Sequence, residues 1–457
     1  MRHIKLLLAG CGLVLSVSAS AQGISQEMLS KMKTANKMTA SDKAIHNALA
    51  ANNIADLALN QSNKAEQSTY FSNSVPSKGI TDQKSSGRCW LFTGLNVLRS
   101  KVINKQKLEG LEFSQIYCFF YDQLEKSNLF LQAIIDTKDK PMDDKTVEWL
   151  FKNPISDGGT YTGVADLVMK YGLVPAGVMP ETFASNNTSK FTSFLKKKLR
   201  EDALILREGK GDLQAQKEQM LSEIYHMLLL GFGEPPAEFT WAPKDAQGKY
   251  LYAPKKYTPK SFYEEMIGEE LNADYVMLMN DPTRPYWKTY EIEYDRHLYD
   301  GHNWKYLNLP IEEVKKAAIL SIKDSTMMYF SCDVAKEIDK NRGLLDLNNY
   351  DYESIFGVKF GMDKRQRIIS FDSGSSHAMT LKAVDLDENG RPIKWEVENS
   401  WGNTGFGGHL IMTDEWFNEY MFRLVVNKKY LTDKALKAAE QKPVMLPCYD
   451  PMFSMEE

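Results

Sequence analysis

Apolar positions in the first part of the chain repeat at helical intervals. Residues 39–61 carry apolar side chains three to five positions apart behind Thr39 or Ser41, either of which can cap a helix, so one helix is predicted there. An apolar-rich stretch runs from Cys89 to about Lys105, which predicts a helix whose first turn contains the cysteine. Further helices are predicted within residues 112–136, 157–175, 189–233 and 310–324.

Towards the end of the chain the pattern changes to short strand-like segments. These are residues 275–280, 326–334, 377–387, 393–401, 408–417 and 420–426, and the sequence DENG at 387–390 predicts a tight turn between two of them. Helices come first and antiparallel strands come last, without an internal repeat. This layout predicts an α+β fold.

The composition is that of a globular protein. The chain has 457 residues, 43% of them hydrophobic and 25% charged, which excludes a disordered or fibrous protein and allows two or three domains or one elaborated domain. A formal net charge of -4 gives no global reason to expect nucleic acid as a partner. No stretch of the sequence is apolar over the roughly 18 residues of a membrane span, so no membrane association is expected.

The first residues have the pattern of an export signal, and export is therefore expected. Residues 1–21 have a basic start, an apolar stretch at 6–17 and small residues before a cleavage point after Ala21. A lipoprotein attached through Cys11 is the alternative, but the apolar run before that cysteine is short. The mature protein is therefore expected to be soluble and exported, in the periplasm or an equivalent compartment.

The other cysteines and the histidines show no metal-ligand spacing. Outside the signal the cysteines are Cys89, Cys118, Cys332 and Cys448. They form no C-x-x-C pair, and the last three are predicted to be buried core residues. His297 and His302 lack the spacing of the helical H-E-x-x-H site. Neither a metal nor another cofactor is expected.

Cys89 is the candidate nucleophile. A thiol attacks carbonyls as its thiolate, and the start of a helix favours negative charge, so we expect this position to lower the pKa of Cys89. His377 heads one predicted strand and Asn399 ends another, so neighbouring strands would let His377 face Cys89 while Asn399 fixes its tautomer. Trp401 could shield that hydrogen bond. Taken singly, His377 could be a core or surface residue, and NSWG could be a turn.

Gln83 is the candidate oxyanion donor. Its side-chain amide and the backbone N–H of Cys89 could stabilise a tetrahedral intermediate, although a lone glutamine is more often an exposed loop residue. The motifs QKSSGRCW (83–90), HAM (377–379) and ENSWG (398–402) resemble those of papain-type cysteine peptidases, in the same order. The long interval between Cys89 and His377 implies a large insertion.

Further segments narrow the resemblance to the branch that contains bleomycin hydrolase and bacterial aminopeptidase C. Among them are DGGTYTGVADLVMKYGLVP, MNDPTRPYW, SHAMTL and LPCYDPMFSMEE. The resemblance implies a papain-like fold, a large helical insertion, an N-terminal hook and a homohexameric barrel with inward-facing sites. The implied division is a signal at 1–21, a hook at 22–75, a helical half at 76–180, an insertion at 181–310, a sheet half at 311–440 and an arm at 441–457.

The C-terminal arm carries the implied specificity. In this branch the arm lies in the cleft and its terminal carboxylate, here at Glu457, holds the α-ammonium of the substrate at a fixed distance from the nucleophile. Phe453 and the acidic pair Glu456–Glu457 depart from the small residues with which the branch usually ends.

Three functions are compared on this basis. The first is an exported cysteine aminopeptidase that acts on peptides through Cys89, His377 and Asn399. The second is an endopeptidase or amide hydrolase whose cleft the altered arm leaves open. The third is a non-catalytic ring that binds peptides or nucleic acid through lysines, which the complete set of site residues disfavours.

Overall fold

The structure is a computed structural model that describes residues 23–63, 65 and 68–451. The predicted export signal at 1–21, including Cys11, lies outside the described residues, as does Glu457. Among the residues described, none of the helices has the length and apolar composition needed to cross a bilayer.

The described helices occupy most of the first half of the chain and recur between the later strands. They are α1 (Gln26–Ala35), α2 (Ala40–Ala51), α3 (Ile54–Ala58), α4 (Cys89–Gln106), α5 (Gln115–Asp136), α6 (Lys145–Lys152), α7 (Tyr161–Tyr171), α8 (Phe183–Asn186), α9 (Thr188–Glu208), α10 (Leu213–Phe232), α11 (Pro259–Met266), α12 (Leu271–Asp274), α13 (Ile311–Lys323), α14 (Tyr352–Phe356), α15 (Lys364–Ile369), α16 (Thr404–Gly407), α17 (Asp414–Tyr420) and α18 (Asp433–Ala439).

The strands are short and cluster after residue 238. They are β1 (Asn73–Ser74), β2 (Phe239–Trp241), β3 (Lys255–Tyr257), β4 (Tyr275–Met279), β5 (Lys288–Ile292), β6 (Lys305–Asn308), β7 (Met328–Cys332), β8 (Ile338–Asp339), β9 (Leu344–Leu345), β10 (His377–Leu386), β11 (Pro392–Glu398), β12 (His409–Thr413), β13 (Met421–Asn427) and β14 (Val444–Leu446). In the described chain one sheet has the order β14-β5-β6-β4-β13-β7-β10-β11-β12-β9-β8, with β1 paired to β10, and β2 pairs with β3. The α+β class is thus confirmed.

The described residues divide into two compact units. Those within Met1–Leu59 and Asp351–Val358 form one unit, and those within Asn60–Tyr350 and Lys359–Glu457 form the other. The large sheet and the described site residues Gln83, Cys89, His377, Asn399 and Trp401 belong to the second unit. The region 181–310, expected to be a helical insertion, contains β2 to β6 in addition to helices α8 to α12.

The large sheet has buried side chains on both faces. Tyr329 belongs to a hydrophobic cluster that includes residues of α4, α5 and α7, whereas the next residue, Phe330, belongs to a second cluster with residues of α13 and α17. Successive side chains of a strand point to opposite faces, so one strand contributes to both clusters. This double burial fixes the strand register and with it the positions of residues at strand ends.

Local signals account for the helix boundaries. The predicted helix at 39–61 is in fact two helices, because the chain at Asn52 and Asn53 leaves helical geometry and Asn53 caps α3. Thr39 is the N-cap of α2, and its hydroxyl accepts from the backbone N–H of Asp42. The predicted strand at 408–417 is wrong in its second half, because Thr413 caps a helix that begins at Asp414.

Candidate active site

Cys89 is the first residue of α4, at the junction between a loop and the buried core. Arg88 is the N-cap residue, and Trp90 and Leu91 are buried directly behind the cysteine. A side chain at Gly87 would place a Cβ 2.9 Å from the Cβ of Asp157, so the loop reaches Cys89 only with glycine there. Core packing of the residues that follow thus fixes a half-buried thiol at the helix start.

His377 and Asn399 are brought together by strand pairing. His377 begins β10, Asn399 directly follows β11, and these strands are antiparallel neighbours with Thr380 opposite Glu398. The imidazole Nε2 lies 2.8 Å from Oδ1 of Asn399. The backbone N–H of Ser400 donates to the same Oδ1, also at 2.8 Å. An atom that accepts from a backbone N–H is oxygen, so Nε2 of His377 carries the proton and Nδ1 is left as the basic nitrogen.

The ring of Trp401 covers this pair. Its centroid lies 4.7 Å from that of the His377 imidazole, at an interplanar angle of 30°. His377 is only 7% exposed, and Asn399 is 2% exposed. The arrangement excludes water from the bond between His377 and Asn399, as the sequence led us to expect.

One cavity joins the two halves of the site. It has a volume of about 290 Å³, and its lining includes Gln83, Cys89, His377 and Trp401. Strand β10 packs against helix α4, and the backbone N–H of Ala378, the residue after His377, favours negative charge on the sulfur of Cys89. The three distant sequence segments therefore converge on this one cavity, the catalytic cavity.

Burial is the largest influence on the pKa of the Cys89 thiol and on that of the His377 imidazole. It raises the pKa of Cys89, although the N–H groups of Ala378 and Trp90 and the charge of Arg423 act in the opposite direction. The net direction is opposite to the one that a helix start alone predicts. Burial also lowers the pKa of His377 to about 4, against the effect of the hydrogen bond that its Nε2–H donates to Oδ1 of Asn399. Burial therefore disfavours the charged form of each group, and proton transfer from the Cys89 thiol to Nδ1 of His377 would activate the sulfur.

Gln83 is buried, with 7% exposure, rather than an exposed loop residue. Its Nε2 donates to the carbonyl of Ser86 at 2.7 Å, and its Oε1 accepts from the hydroxyl of Ser400 at 2.7 Å. One N–H of the amide is engaged in this way, and the other is available for an oxyanion in the cavity that Gln83 and Cys89 both line.

Ser400 is a positioning residue that sequence reasoning included only as part of the ENSWG motif. Its N–H bonds to Asn399, its hydroxyl bonds to Gln83, and its carbonyl accepts from the backbone N–H of Gln83 at 2.9 Å. It therefore connects the residue that orients the imidazole with the candidate oxyanion donor. Its position directly after Asn399 was the available signal.

Arg423 is a second residue that the sequence did not single out. It is 2% exposed on β13, lines the catalytic cavity, and its guanidinium carbon lies 3.6 Å from the centroid of the Trp304 ring. In the sequence it is a single charge within an apolar strand segment, which resembles an edge or surface position. Only the pairing of β13 between β4 and β7 shows that it is buried.

The described part of the C-terminal arm approaches the site. Strand β14 pairs in parallel with β5, and Cys448 and Tyr449 then line a second cavity of about 290 Å³. Gly158 and Gly159 line both this cavity and the catalytic one, so the two adjoin. Asp450 is held by Arg284. Glu457, the residue expected to bind the substrate amino end, lies outside the described residues.

The other histidines and cysteines that the sequence analysis considered and the structure describes do not line the catalytic cavity. His297 pairs with Asp122 at 2.5 Å, and His302 pairs with Asp166 at 2.8 Å. His409 begins β12, as predicted. The prediction of core positions for three cysteines is confirmed, since Cys118, Cys332 and Cys448 are all buried.

Comparison with known proteins gives a consistent result. Residues 23–453 match the model of the Peptidase C1-like family. Aminopeptidase C from Lactococcus lactis subsp. cremoris is 39% identical over 421 residues, which cover 90% of this chain and 95% of the relative. Bleomycin hydrolase from Homo sapiens is 39% identical over 420 residues, covering 88% and 92% of the two chains.

A solved structure shares the fold over nearly the whole length. The crystal structure of PepW from Lactobacillus rhamnosis superposes with a TM-score of 0.89 at 34% identity, covering 94% of this chain and 99% of that one. The papain-like architecture expected from the motifs is therefore confirmed.

Proposed function

The chain belongs to the Peptidase C1-like family and is a cysteine peptidase, and we propose that it acts as an aminopeptidase that releases N-terminal residues from peptides. The observation that carries this proposal is the bond from Nε2 of His377 to Asn399, which leaves Nδ1 as the base in the cavity shared with Cys89. Relatives named aminopeptidase C and aminopeptidase E support exopeptidase action.

The reaction proceeds through a thioester. Nδ1 of His377 takes the thiol proton, and the sulfur of Cys89 attacks the carbonyl carbon of the first peptide bond. The N–H of Cys89 and the second N–H of the Gln83 amide stabilise the oxyanion, at roughly 3 kcal/mol for each donor. The imidazolium then protonates the leaving amine, and a water molecule that gives its proton to His377 hydrolyses the thioester.

Asn399 and Trp401 support these steps by acting on His377. The bond to Asn399 holds the Nε2 proton while Nδ1 gains and loses its own, and the bond is strongest when the ring is charged. The Trp401 indole keeps water from competing for the Asn399 oxygen.

The amino-end preference is assigned to the arm beyond Pro451. The terminal carboxylate, at Glu457, is the group expected to hold the α-ammonium of the substrate. The proposal is supported by Cys448 and Tyr449, which lie in the cavity that adjoins the catalytic one.

Two substrates that differ only at the amino end test the assignment. We expect hydrolysis of a dipeptide amide with a free amino group and little hydrolysis of its N-acetylated form. Deletion of residues 453–457 is expected to raise the hydrolysis of the N-acetylated form. Equal hydrolysis of both forms by the intact protein would instead identify an endopeptidase or amide hydrolase with an open cleft.

We further propose that the protein is exported and assembles as a homohexamer. Export rests on the basic and apolar pattern of residues 1–21, and it predicts a mature N-terminus at Gln22 in the periplasmic fraction. Assembly rests on the resemblance to the bleomycin hydrolase branch, and it predicts six copies by light scattering of the purified protein. A cytoplasmic full-length chain, or a monomer at micromolar concentration, would contradict the respective proposal.

A further inference from the structure

Three titratable side chains that the proposed reaction does not use lie behind one wall of the catalytic cavity. Asp122 and Lys126 belong to α5, and His297 follows β5 in the chain. Asp122 is fully buried, His297 is 3% exposed and the side chain of Lys126 is 11% exposed. Burial of such groups costs free energy unless they are paired, so their partners show what they stabilise. These three residues form the anchor group.

Asp122 binds the other two members of the anchor group. Its Oδ1 lies 2.5 Å from Nδ1 of His297, and its Oδ2 lies 2.9 Å from Nζ of Lys126. Burial acts to raise the pKa of Asp122, but Lys126 and His297 outweigh this effect and hold the pKa below its ordinary value. An ionised carboxylate accepts from both partners, so it fixes the position of each relative to α5.

The anchor group binds backbone that has no regular structure of its own. The wall segment, residues 156–160, runs without helix or strand up to the N-cap residue of α7. Buried backbone of this kind has to pair with side chains. Nζ of Lys126 donates to the carbonyl of Gly158 at 2.6 Å and to that of Ser156 at 3.2 Å. With the bond to Asp122, all three N–H groups of the ammonium are used.

His297 holds the other side of Gly159. The backbone N–H of Thr160 donates to Nε2 of His297 at 3.4 Å, so Nδ1 carries the ring proton and donates to Asp122. A Cβ on Gly159 or on Gly163 would lie 2.3 Å from Cε1 of this ring. The imidazole therefore fills the space that the two glycines leave, and Gly159 is held by packing as well as by the bonds on either side of it.

The nucleophile has anchors of its own. The indole N–H of Trp90, the residue after Cys89, donates to the carbonyl of Asp157 at 2.7 Å. On the other side of the cysteine, the backbone N–H of Gly87 donates to the Asp157 carboxylate at 3.4 Å. Loss of the anchor group should therefore displace the two glycines that follow Asp157 and leave Cys89 in place.

We propose that the anchor group positions the wall segment and thereby sets the affinity of the catalytic cavity for its substrate. Gly158 and Gly159 line both the catalytic cavity and the adjoining one, so a substrate at Cys89 borders this backbone. The members of the anchor group are positioning residues, because they act on the substrate through the wall segment. The inference rests on the proposed peptidase reaction at Cys89 and is independent of the amino-end preference.

The two nitrogens of His297 can be tested separately. His297→Asn keeps a donor near the Nδ1 position for Asp122 and loses the acceptor for Thr160, whereas His297→Gln keeps an acceptor near the Nε2 position. The substrate is the dipeptide amide that the parent hydrolyses better, free or N-acetylated. We expect His297→Asn to raise KM by roughly fivefold or more with little change in kcat, and His297→Gln to stay within about twofold of the parental KM. Equal KM values for the two variants would overturn the proposal.

Lys126 offers a disruptive and a conservative replacement. Lys126→Met keeps the length of the side chain but removes the donors to two wall carbonyls, and it is expected to raise KM by roughly tenfold or more. Lys126→Arg keeps the charge and should recover part of this loss. Lys315→Met is the matched control, because it breaks a buried ion pair with Asp414 at 2.5 Å on the opposite face of the sheet. It should lower the thermal midpoint without raising KM, and an equal rise in KM would reject a specific role of the wall.

Hydrogen exchange follows the wall segment without relying on activity. Amides of residues 156–160 should exchange roughly tenfold faster or more in folded Lys126→Met and His297→Asn than in the parent, while those of α4 keep parental rates. Alkylation of Cys89 by iodoacetamide, followed by mass spectrometry, should stay within about twofold of the parental rate, because the bonds to Asp157 remain. Parental exchange of the wall segment in both variants would contradict the proposal.

The outcomes distinguish this inference from the function on which it rests. If the parent hydrolyses neither the free nor the N-acetylated amide, the proposed function fails, and the affinity is then compared as the Kd of the same amide for parent and variants. If the parent is active and the variants keep its KM, the peptidase stands and only the role of the anchor group is rejected. If Lys126→Met does not fold, the two replacements of His297 decide the question.

Discussion

Oδ1 of Asn399 accepts the Nε2 proton of His377 at 2.8 Å, and that single bond determines which imidazole nitrogen faces the catalytic cavity. The backbone N–H of Ser400 fixes the orientation of the amide by donating to the same oxygen. The basic nitrogen of the site is therefore defined by backbone geometry at the end of β11.

Removal of this bond should slow the enzyme without unfolding it. Asn399→Ala is expected to reduce kcat/KM by roughly 10- to 150-fold, because a hydrogen bond to a charged ring contributes about 1.5–3 kcal/mol. Steady-state kinetics on a dipeptide amide measures the effect. Asn389→Ala, in the exposed turn between β10 and β11, is the matched control, and an equal loss in both variants would contradict the role of Asn399.

Loss of the Ser400 hydroxyl should weaken oxyanion stabilisation through Gln83. Ser400→Ala leaves Oε1 of Gln83 buried without its donor, which costs about 1–3 kcal/mol and loosens the amide. We expect a lower thermal midpoint and a lower kcat with little change in KM. Gln83→Ala in the Ser400→Ala background should then have a smaller effect on kcat than in the parent. Full additivity would show that the two residues act independently.

The buried imidazole should make stability depend on pH. The pKa of His377 is about 4 in the folded protein and near 6.5 when exposed, so the unfolded chain binds more protons between these values. Its contribution to stability is complete above about pH 6.5 and is lost as the pH falls towards 4. Denaturation midpoints of the parent and His377→Gln across this window should show a shallower decline in the variant. Parallel declines would argue against a buried neutral imidazole.

Gly159 should tolerate no side chain. A Cβ there would lie 2.3 Å from Cε1 of His297 and 2.8 Å from Cδ2 of Trp90, behind a wall of the catalytic cavity. Gly159→Ala is expected to cost roughly 1–3 kcal/mol of stability and to reduce activity by displacing that wall. Gly177→Ala is the control, since nothing lies within 4 Å of the added carbon. A Gly159→Ala enzyme with parental melting and activity would contradict this packing.

Local signals in the sequence predicted where the helices and the candidate site residues lie. They predicted the electrostatic environment of the site less well. Thr39, the apolar run behind Cys89 and the turn at 387–390 act through neighbours in the chain, and the structure has the expected elements at each. The helix at Asp414–Tyr420 was missed because its apolar residues also fit a strand, and the cap at Thr413 decided between the two.

Properties that depend on packing between distant segments could not be predicted in this way. Burial of Cys89 raises the pKa of its thiol, and this effect outweighs the lowering of the pKa that its position at a helix start predicts. Arg423 gave no signal because its burial depends on two strands more than 90 residues earlier in the chain. The sequence around a single charged residue in an apolar strand is the same whether the strand lies at the edge of a sheet or lines a cavity.

The central claim is that the Cys89 sulfur attacks the substrate with His377 as its base. The most direct measurement is the initial rate of release of a fluorophore from an amino-acyl amide with a free amino group, for the parent, Cys89→Ala and Cys118→Ala. Cys118 is a buried thiol on α5 and controls for the loss of a cysteine. The account predicts rapid release by the parent and by Cys118→Ala and none above background by Cys89→Ala; undiminished release by folded Cys89→Ala would contradict it.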